Sequence, residues 1–300
     1  MKKIEVEGHS GCYVDIRKYK GNLVIDKYTK NEKYIPRLEA QFKKQKNAKI
    51  SNLSDNILIP EIYDIDASWP GEYHGIMEYV YGKNFISFFE YADKTVIDRF
   101  INTICDYIKN EIHLCHCVSE YKTNGLYSKW QSVKKNMIDT FEGNYIKPQS
   151  SHYPSILKII EKCDKIFVKD MSFSYFYVGK CHGDLTFSNI IFRDNEYALI
   201  DFLDSFIESP IMDIVKLRQD TKYKWSTLMY NSKDYDKTRY DMICKYIDEK
   251  IEQEFKDYDF YKESYNIFQL MNFLRILQYA KKEEVTKYLI ETINDILKEF

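Results

Sequence analysis

The spacing of apolar residues changes once along this 300-residue chain, near Gly82, and that change restricts the folds open to it. Before Gly82, apolar and polar residues alternate in short runs. Lys3-Ile4-Glu5-Val6, Tyr13-Val14-Asp15-Ile16-Arg17 and Leu23-Val24-Ile25-Asp26-Lys27-Tyr28 are separated by turns at Gly8-His9-Ser10-Gly11 and Lys20-Gly21-Asn22. Period-two alternation bounded by turns predicts half-buried strands. Pro36 opens a predicted helix with Leu38 and Phe42 on one face. Two more strands, Pro60-Glu61-Ile62-Tyr63-Asp64-Ile65-Asp66 and Tyr73-His74-Gly75-Ile76-Met77-Glu78-Tyr79-Val80, complete a small five-stranded antiparallel unit with one helix after its third strand. After Gly82, apolar residues recur three or four apart through Val96, Ile97, Phe100, Ile104, Ile108 and Ile112, predicting a helix over 93–118. Further helices are predicted at about 127–141, at 155–169 and over most of 210–299. Two short apolar strands, at 189–192 and 197–202, interrupt them. The expectation is an α+β chain of two lobes. A sheet lobe covers 1–82, with a hinge at about 78–82, and a larger, mainly helical lobe covers 83–300.

Composition excludes several functions. Lys and Arg number 44 against 46 Asp and Glu, a net charge of −2 that argues against a dedicated nucleic-acid binder. No apolar run approaches the roughly 18 residues of a membrane helix, so no membrane insertion is expected. The first residues, Met1-Lys2-Lys3-Ile4-Glu5, show no apolar secretory core. Seven cysteines, an odd number in a chain too large to need staples, read as reduced thiols in a cytoplasmic protein. Only ten glycines occur, and none fits the P-loop, dinucleotide-binding or nucleophile-elbow patterns.

The chemistry concentrates between Cys181 and Phe202. Asp184 and Asn189 lie five residues apart in Cys181-His182-Gly183-Asp184-Leu185-Thr186-Phe187-Ser188-Asn189, and Asp201 follows the second short strand in Ala198-Leu199-Ile200-Asp201-Phe202. The predicted hairpin brings all three to one edge. A hard divalent ion such as Mg2+ takes oxygen ligands, one or two from protein and the rest from phosphate and water. Asn189 and Asp201 provide two. Asp184 is left to accept a proton from an attacking hydroxyl.

This spacing is that of kinase phosphoryl-transfer sites. With His182-Gly183-Asp184, Asn189 and Ile200-Asp201-Phe202, the segment resembles the aminoglycoside phosphotransferase and choline kinase family. Its pattern is H-G-D-x-x-x-x-N followed by I-D-F or I-D-W. Ser209-Pro210-Ile211-Met212-Asp213-Ile214 looks like that family's D-P-x-x-D-L segment, with Ser209 in place of the first acid and Leu203 where many members carry another.

The resemblance implies a protein-kinase-like fold and an ATP-dependent small-molecule kinase, with GTP an alternative donor. Asp184 is then the catalytic base, Asn189 and Asp201 the Mg2+ ligands, and His182 a structural residue under the loop. Lys27, on the third strand, would grip the phosphates, held by Glu39 of the following helix. Ser10 would cover the phosphates, and Met77, Glu78 and Val80 would line the adenine pocket, the last two through their backbone. Asp204 would have at most a minor role. The implied acceptor is a hydroxylated sugar, amino alcohol or aminoglycoside-like molecule. A loose likeness of residues 200–222 to kinase-like proteins of bacterial surface-glycan pathways adds a sugar building block. Acids between Asp234 and Asp259 would suit a cationic acceptor but read first as solvated helix faces. The alternative function is an inactive nucleotide-binding or interaction module of the same fold, which has no chemical need for Asp184, Asn189 and Asp201 together. A protein kinase is disfavoured, because no A-P-E segment follows Asp201. His113, Cys115, His116 and Cys117 lack zinc-site spacing and read as a packed helix end.

Overall fold

The computed structural model describes residues 5–7, 12–52, 54–67, 71–143, 149–230 and 235–300. It begins with β1 (Glu5–Glu7), β2 (Tyr13–Tyr19), β3 (Asn22–Thr29), α1 (Ile35–Ser51), β4 (Ile57–Leu58), β5 (Ile62–Asp66) and β6 (Tyr73–Glu78). Four of these strands join β3 in an antiparallel sheet of order β1-β2-β3-β6-β5. Alternation sets which face of β3 looks inward, and the register pairs Lys27 with Val14 on one side and Gly75 on the other. Helix α1 turns Leu38, Gln41, Phe42 and Gln45 toward the sheet, the i, i+3, i+4, i+7 face of an amphipathic helix. Gly75 makes this docking possible. A Cβ there would lie 2.0 Å from the Phe42 ring, so the glycine lets the helix sit close on β6. Leu38, Phe42, Cys12, Tyr73 and Met77 form the small core beneath.

Beyond Glu78 the chain becomes mainly helical: α2 (Phe85–Tyr91), α3 (Lys94–Leu114), β7 (His116–Lys122), α4 (Asn124–Phe141), α5 (Tyr153–Ile166), β8 (Ser172–Val178), β9 (Ile190–Arg193), β10 (Glu196–Leu199), α6 (Ile211–Thr221), α7 (Lys237–Phe255), α8 (Asp259–Leu277) and α9 (Glu283–Ile296). The large core runs through all of the helices from α2 to α9. Phe88, Phe89, Phe100, Phe187 and Phe192 meet edge-on or stacked beneath the β9–β10 hairpin. Such aromatic pairs add about 0.5–1.5 kcal/mol each beyond their burial, and they hold the hairpin in place.

Two links join the halves. β4 runs parallel to β10, giving a second sheet of order β4-β10-β9. Lys83 exchanges both backbone hydrogen bonds with Phe192, at 2.8 and 2.9 Å. Gly82 is needed for this approach, since a Cβ would lie 2.5 Å from Ile191 and 2.7 Å from the Phe192 carbonyl. No helix among the described residues is long and apolar enough to cross a membrane.

Two local expectations change. The helix read over 93–118 stops at Leu114, and β7 follows, paired antiparallel with β8. β7 is exposed at nearly every position, so it carries no apolar alternation to read. The strand read as 197–202 stops at Leu199, because Asp201 enters the left-handed region at φ 61°. Asp is among the few side chains that tolerate that conformation.

Candidate active site

The catalytic-loop candidate, residues 181–189, is held from below by α6. Asp213 accepts hydrogen bonds from the His182 amide at 2.6 Å and the Gly183 amide at 2.8 Å. Two helical turns on, Asp220 accepts from the Phe187 amide at 2.6 Å and from the Ser226 amide and hydroxyl at 2.8 and 2.9 Å. Both carboxylates are fully buried. Burial pushes Asp213 up to about 7 and Asp220 up to about 6, while the amide donors pull each back. Asp213 has the bracing position expected of it. Asp220 was not anticipated, though an acid seven residues from Asp213 in an apolar helical run falls on the same face.

His182 lies under the loop and is fully buried. Its Nε2–H donates to the Ile200 carbonyl at 2.9 Å, and its Nδ1 accepts from the Asp184 amide at 3.2 Å. Burial drives its pKa down to about 4, so the ring is neutral and bridges the loop to the segment leading into Asp201. Its ring centroid is 4.2 Å from that of Phe202. Gly183 has φ +87°, and a Cβ there would lie 2.2 Å from the Leu203 carbonyl, so the turn before Asp184 admits only glycine without movement.

Asp184 projects from this turn. The Asn189 amide donates to its backbone carbonyl at 2.8 Å and to its carboxylate at 2.9 Å. The Lys216 ammonium of α6 is 2.9 Å from its other oxygen. Burial favours the neutral acid, but the Lys216 charge and hydrogen bond, with the Asn189 hydrogen bond, outweigh it and hold the carboxyl below its usual range. Lys216 lies one turn along α6 from Asp213 and was not read from the sequence.

Lys27 reaches across to the same edge. Its ammonium is 2.5 Å from Asp201 and 3.0 Å from the Gln41 side-chain oxygen. The expected partner, Glu39, is exposed and makes no ion pair with Lys27. The sheet-facing positions of α1 are Leu38, Gln41, Phe42 and Gln45, so Glu39 points the wrong way and Gln41 has the place. Lys44, one turn further, ties α1 to the other half through the Leu203 carbonyl at 2.8 Å and Glu208 at 2.7 Å. Arg37 adds a pair with Asp204 at 3.0 Å.

Between these elements lies a cavity of about 490 Å³. Val14, Ile25, Met77 and Val80 line it from the sheet, Ile190, Ile191 and Ile200 from the opposite side, and Glu78 through Asn84 along the connecting segment. Lys27, Asn189 and Asp201 form its polar end, while Asp184 stands beside Asn189 outside it. Apolar walls with a few convergent polar groups are the usual make-up of a cofactor or nucleotide pocket. The oxygen of Asn189 left by its two donated bonds, and the carboxylate of Asp201, are hard donors suited to Mg2+ shared with phosphates. Among the described residues no group of three or more His, Cys, Asp or Glu could hold a metal by itself. Ser10 and the turn at residues 8–11 lie outside the described residues. Of the acids considered for a cationic acceptor, Asp248 and Glu252 hold Arg218, Asp241 pairs with Lys224, and Glu254 pairs with Lys109, while Asp234 lies outside the described residues.

No protein-family model matches the sequence, and no curated protein matches it. The solved structures it matches in shape are aminoglycoside phosphotransferases, and the chain has their protein-kinase-like fold. A thermostable mutant of APH(4)-Ia in ternary complex with AMP-PNP and hygromycin B superposes with a TM-score of 0.64 at 8% identity, over 99% of this chain and 93% of that one. APH(4)-Ia itself gives 0.63 at 8% identity over the same shares. The GDP and kanamycin complex of APH(2")-IIia gives 0.60 at 12% identity, over 99% of this chain and 93% of the other.

Proposed function

We propose that the chain is a nucleoside-triphosphate-dependent small-molecule kinase that transfers the γ-phosphoryl group to an acceptor hydroxyl. The observation that carries this reading is the placement of Lys27, Asn189 and Asp201 at the polar end of an apolar 490 Å³ cavity, with ionised Asp184 just outside it. Met77, Glu78 and Val80 border the base, ATP or GTP, within a hinge at 78–82. That hinge joins a nucleotide-binding lobe (1–82) to a catalytic and acceptor-binding lobe (83–300). Lys27, positioned by Gln41, binds the phosphates, and Ser10 belongs to the turn that covers them. Asn189 and Asp201 hold Mg2+, which when bound supplies charge neutralisation on the phosphate oxygens.

Asp184 aims the acceptor hydroxyl and takes its proton as the new P–O bond forms. Lys216 keeps that carboxylate ionised in the resting site. The acceptor is a small hydroxylated molecule, such as a sugar building block of a bacterial surface glycan, and the reaction runs in the cytoplasm, where the reduced thiols and the nucleotide supply belong.

Asp184→Asn tests the reading. Titration of Mg2+-ATP into both proteins should give affinities within about threefold, because Asp184 does not line the cavity. Acceptor-dependent kcat should fall by about 10²–10⁴-fold, the usual share of a general base. Unchanged turnover would remove Asp184 from the role. Nucleotide binding without turnover of any acceptor, in either protein, would favour the inactive module.

A further inference from the structure

Behind Lys216 lie two buried side-chain amides, Gln219 one turn further along α6 and Asn272 of α8. The Asn272 Nδ2–H donates to Gln219 Oε1 at 2.7 Å. The same oxygen stands 3.5 Å from the Lys216 ammonium. Lys216 in turn is 2.9 Å from one carboxylate oxygen of Asp184, while the Asn189 amide is 2.9 Å from the other. The contacts therefore run from Asn272 through Gln219 and Lys216 to Asp184, that is, from α8 through α6 to the catalytic-loop candidate. Asp184 and Gln219 are the polar contacts of the Lys216 ammonium among the described residues. None of Lys216, Gln219 and Asn272 lines the nucleotide cavity.

Folding alone gives little reason for an amide pair in this place. The turn of α8 that carries Asn272 also carries Leu270, Met271, Phe273 and Leu274, all fully buried. Apolar side chains of similar shape on both sides would pack there at nearly equal stability and without desolvating two amides. Nor is the pair needed to hold the loop backbone, because Asp213 and Asp220 already take the amides of His182, Gly183 and Phe187. What that bracing leaves free is the Asp184 side chain. The plane of its carboxylate is set by the groups on its two oxygens, Lys216 on one and Asn189 on the other. An ionised carboxylate has about four lone-pair sites, so each oxygen keeps one for an incoming hydroxyl. A neutral amide oxygen behind Lys216 steadies the ammonium without drawing it off Asp184. A carboxylate in the same position would compete for it.

We propose that Gln219 and Asn272 are positioning residues for the phosphoryl transfer: they aim the Lys216 ammonium, and Lys216 fixes the plane of the Asp184 carboxylate toward the acceptor hydroxyl. The proposal rests on the kinase reading above and adds to it two residues that act only through others. Their effect falls on the transfer step. There the hydroxyl oxygen bonds to the γ-phosphorus, the bond to the leaving ADP breaks with its electron pair, and the hydroxyl proton passes to Asp184. Lys216 stays an ammonium throughout. A base held this way is preorganised, and a misplacement near 1 Å costs about 10²-fold in rate.

Gln219→Glu is the most direct test. The substitution keeps the shape of the side chain and an oxygen for Asn272, but it sets a carboxylate against Asp184 in competition for Lys216. Crystal structures of the wild type and the variant should show the ammonium leaving Asp184 for the introduced carboxylate. Turnover is read as ADP release from Mg2+-ATP, with water alone and with glucose, glycerol, choline and kanamycin. Its kcat should fall by about 10²-fold in Gln219→Glu and in Lys216→Met, with nucleotide Kd and acceptor KM unchanged, and Lys216→Arg should recover part of the rate. Asn272→Leu, which removes one neutral hydrogen bond, should lose about three- to tenfold. In an Asp184→Asn background none of these substitutions should cost anything further, because each acts through Asp184. Urea unfolding of the same variants separates this from packing, since a merely structural amide pair would shift the midpoint and leave kcat alone. Lys216 still seated on Asp184 in the Gln219→Glu crystals, wild-type kcat in that variant, or a full loss repeated in the Asp184→Asn background would each overturn the proposal. Failure of the kinase reading itself looks different: the wild-type protein would show neither thermal stabilisation by Mg2+-ATP nor ADP release, wherever Lys216 lies in the crystals.

Discussion

Replacing Gly183 with alanine should cost both catalysis and stability while sparing nucleotide binding. The native φ of +87° lies where an L side chain is strained, at about 1–3 kcal/mol. The added Cβ would also meet the Leu203 carbonyl at 2.2 Å, about 0.8 Å short of the 3.0 Å that real Cβ contacts respect. That carbonyl cannot retreat freely, because it accepts the Lys44 ammonium at 2.8 Å, while the Leu203 amide donates to the His182 carbonyl at 3.0 Å. The displacement therefore passes to the catalytic loop, and Asp184 follows Gly183 directly. A misplacement near 1 Å at a reacting group costs about 10²-fold in rate, and over-packing a tight site adds about 1–3 kcal/mol of destabilisation.

Gly183→Ala should then lose about 10²-fold in kcat and about 2–4 kcal/mol in urea unfolding, with nucleotide affinity within threefold of wild type. Gly21→Ala is the matched control: φ is +89° there, but nothing lies within 4 Å of the added Cβ. It should show the backbone strain alone, about 1 kcal/mol, and normal turnover. If Gly183→Ala turns over normally, or if Gly21→Ala slows catalysis equally, the steric argument is wrong.

Two other outcomes are specific. Gln41→Ala should raise the nucleotide KM by about tenfold by removing the 3.0 Å contact to Lys27, whereas Glu39→Ala should change it less than twofold; the reverse order in a nucleotide titration would restore Glu39 to the site. His182, buried and neutral, has its folded pKa depressed to about 4 against about 6.5 when unfolded, so its contribution is intact above pH 6.5 and is lost as pH falls toward 4, by about 3 kcal/mol. Asp213 and Asp220, raised by burial, act in the opposite sense over an overlapping range, gaining stability as pH falls. The clean measurement is therefore the difference in unfolding free energy between wild type and His182→Gln at each pH. A difference that stays flat between pH 7 and 4 would mean that His182 is not the neutral bridge described.

What could be read from the sequence followed the kind of constraint each residue is under. Asp184, Asn189 and Asp201 were legible because the proposed chemistry dictates residue type and spacing together, and the β9–β10 hairpin between them shows as apolar runs. Glu39 illustrates the opposite case. Chemical expectation favoured a carboxylate for Lys27, yet the helical period through Leu38, Phe42 and Gln45 turns position 41 to the sheet and position 39 to solvent. Periodicity, which reports geometry, was the better guide there than residue charge. The same face argument, applied to α6, reaches Asp213 and Asp220 seven residues apart, with Lys216 a turn from the first. β7 had no such signal, since a strand exposed at nearly every position is specified by its pairing with β8 alone. Lys216 reaches Asp184 from 32 positions further along the chain, and no local pattern marks that contact.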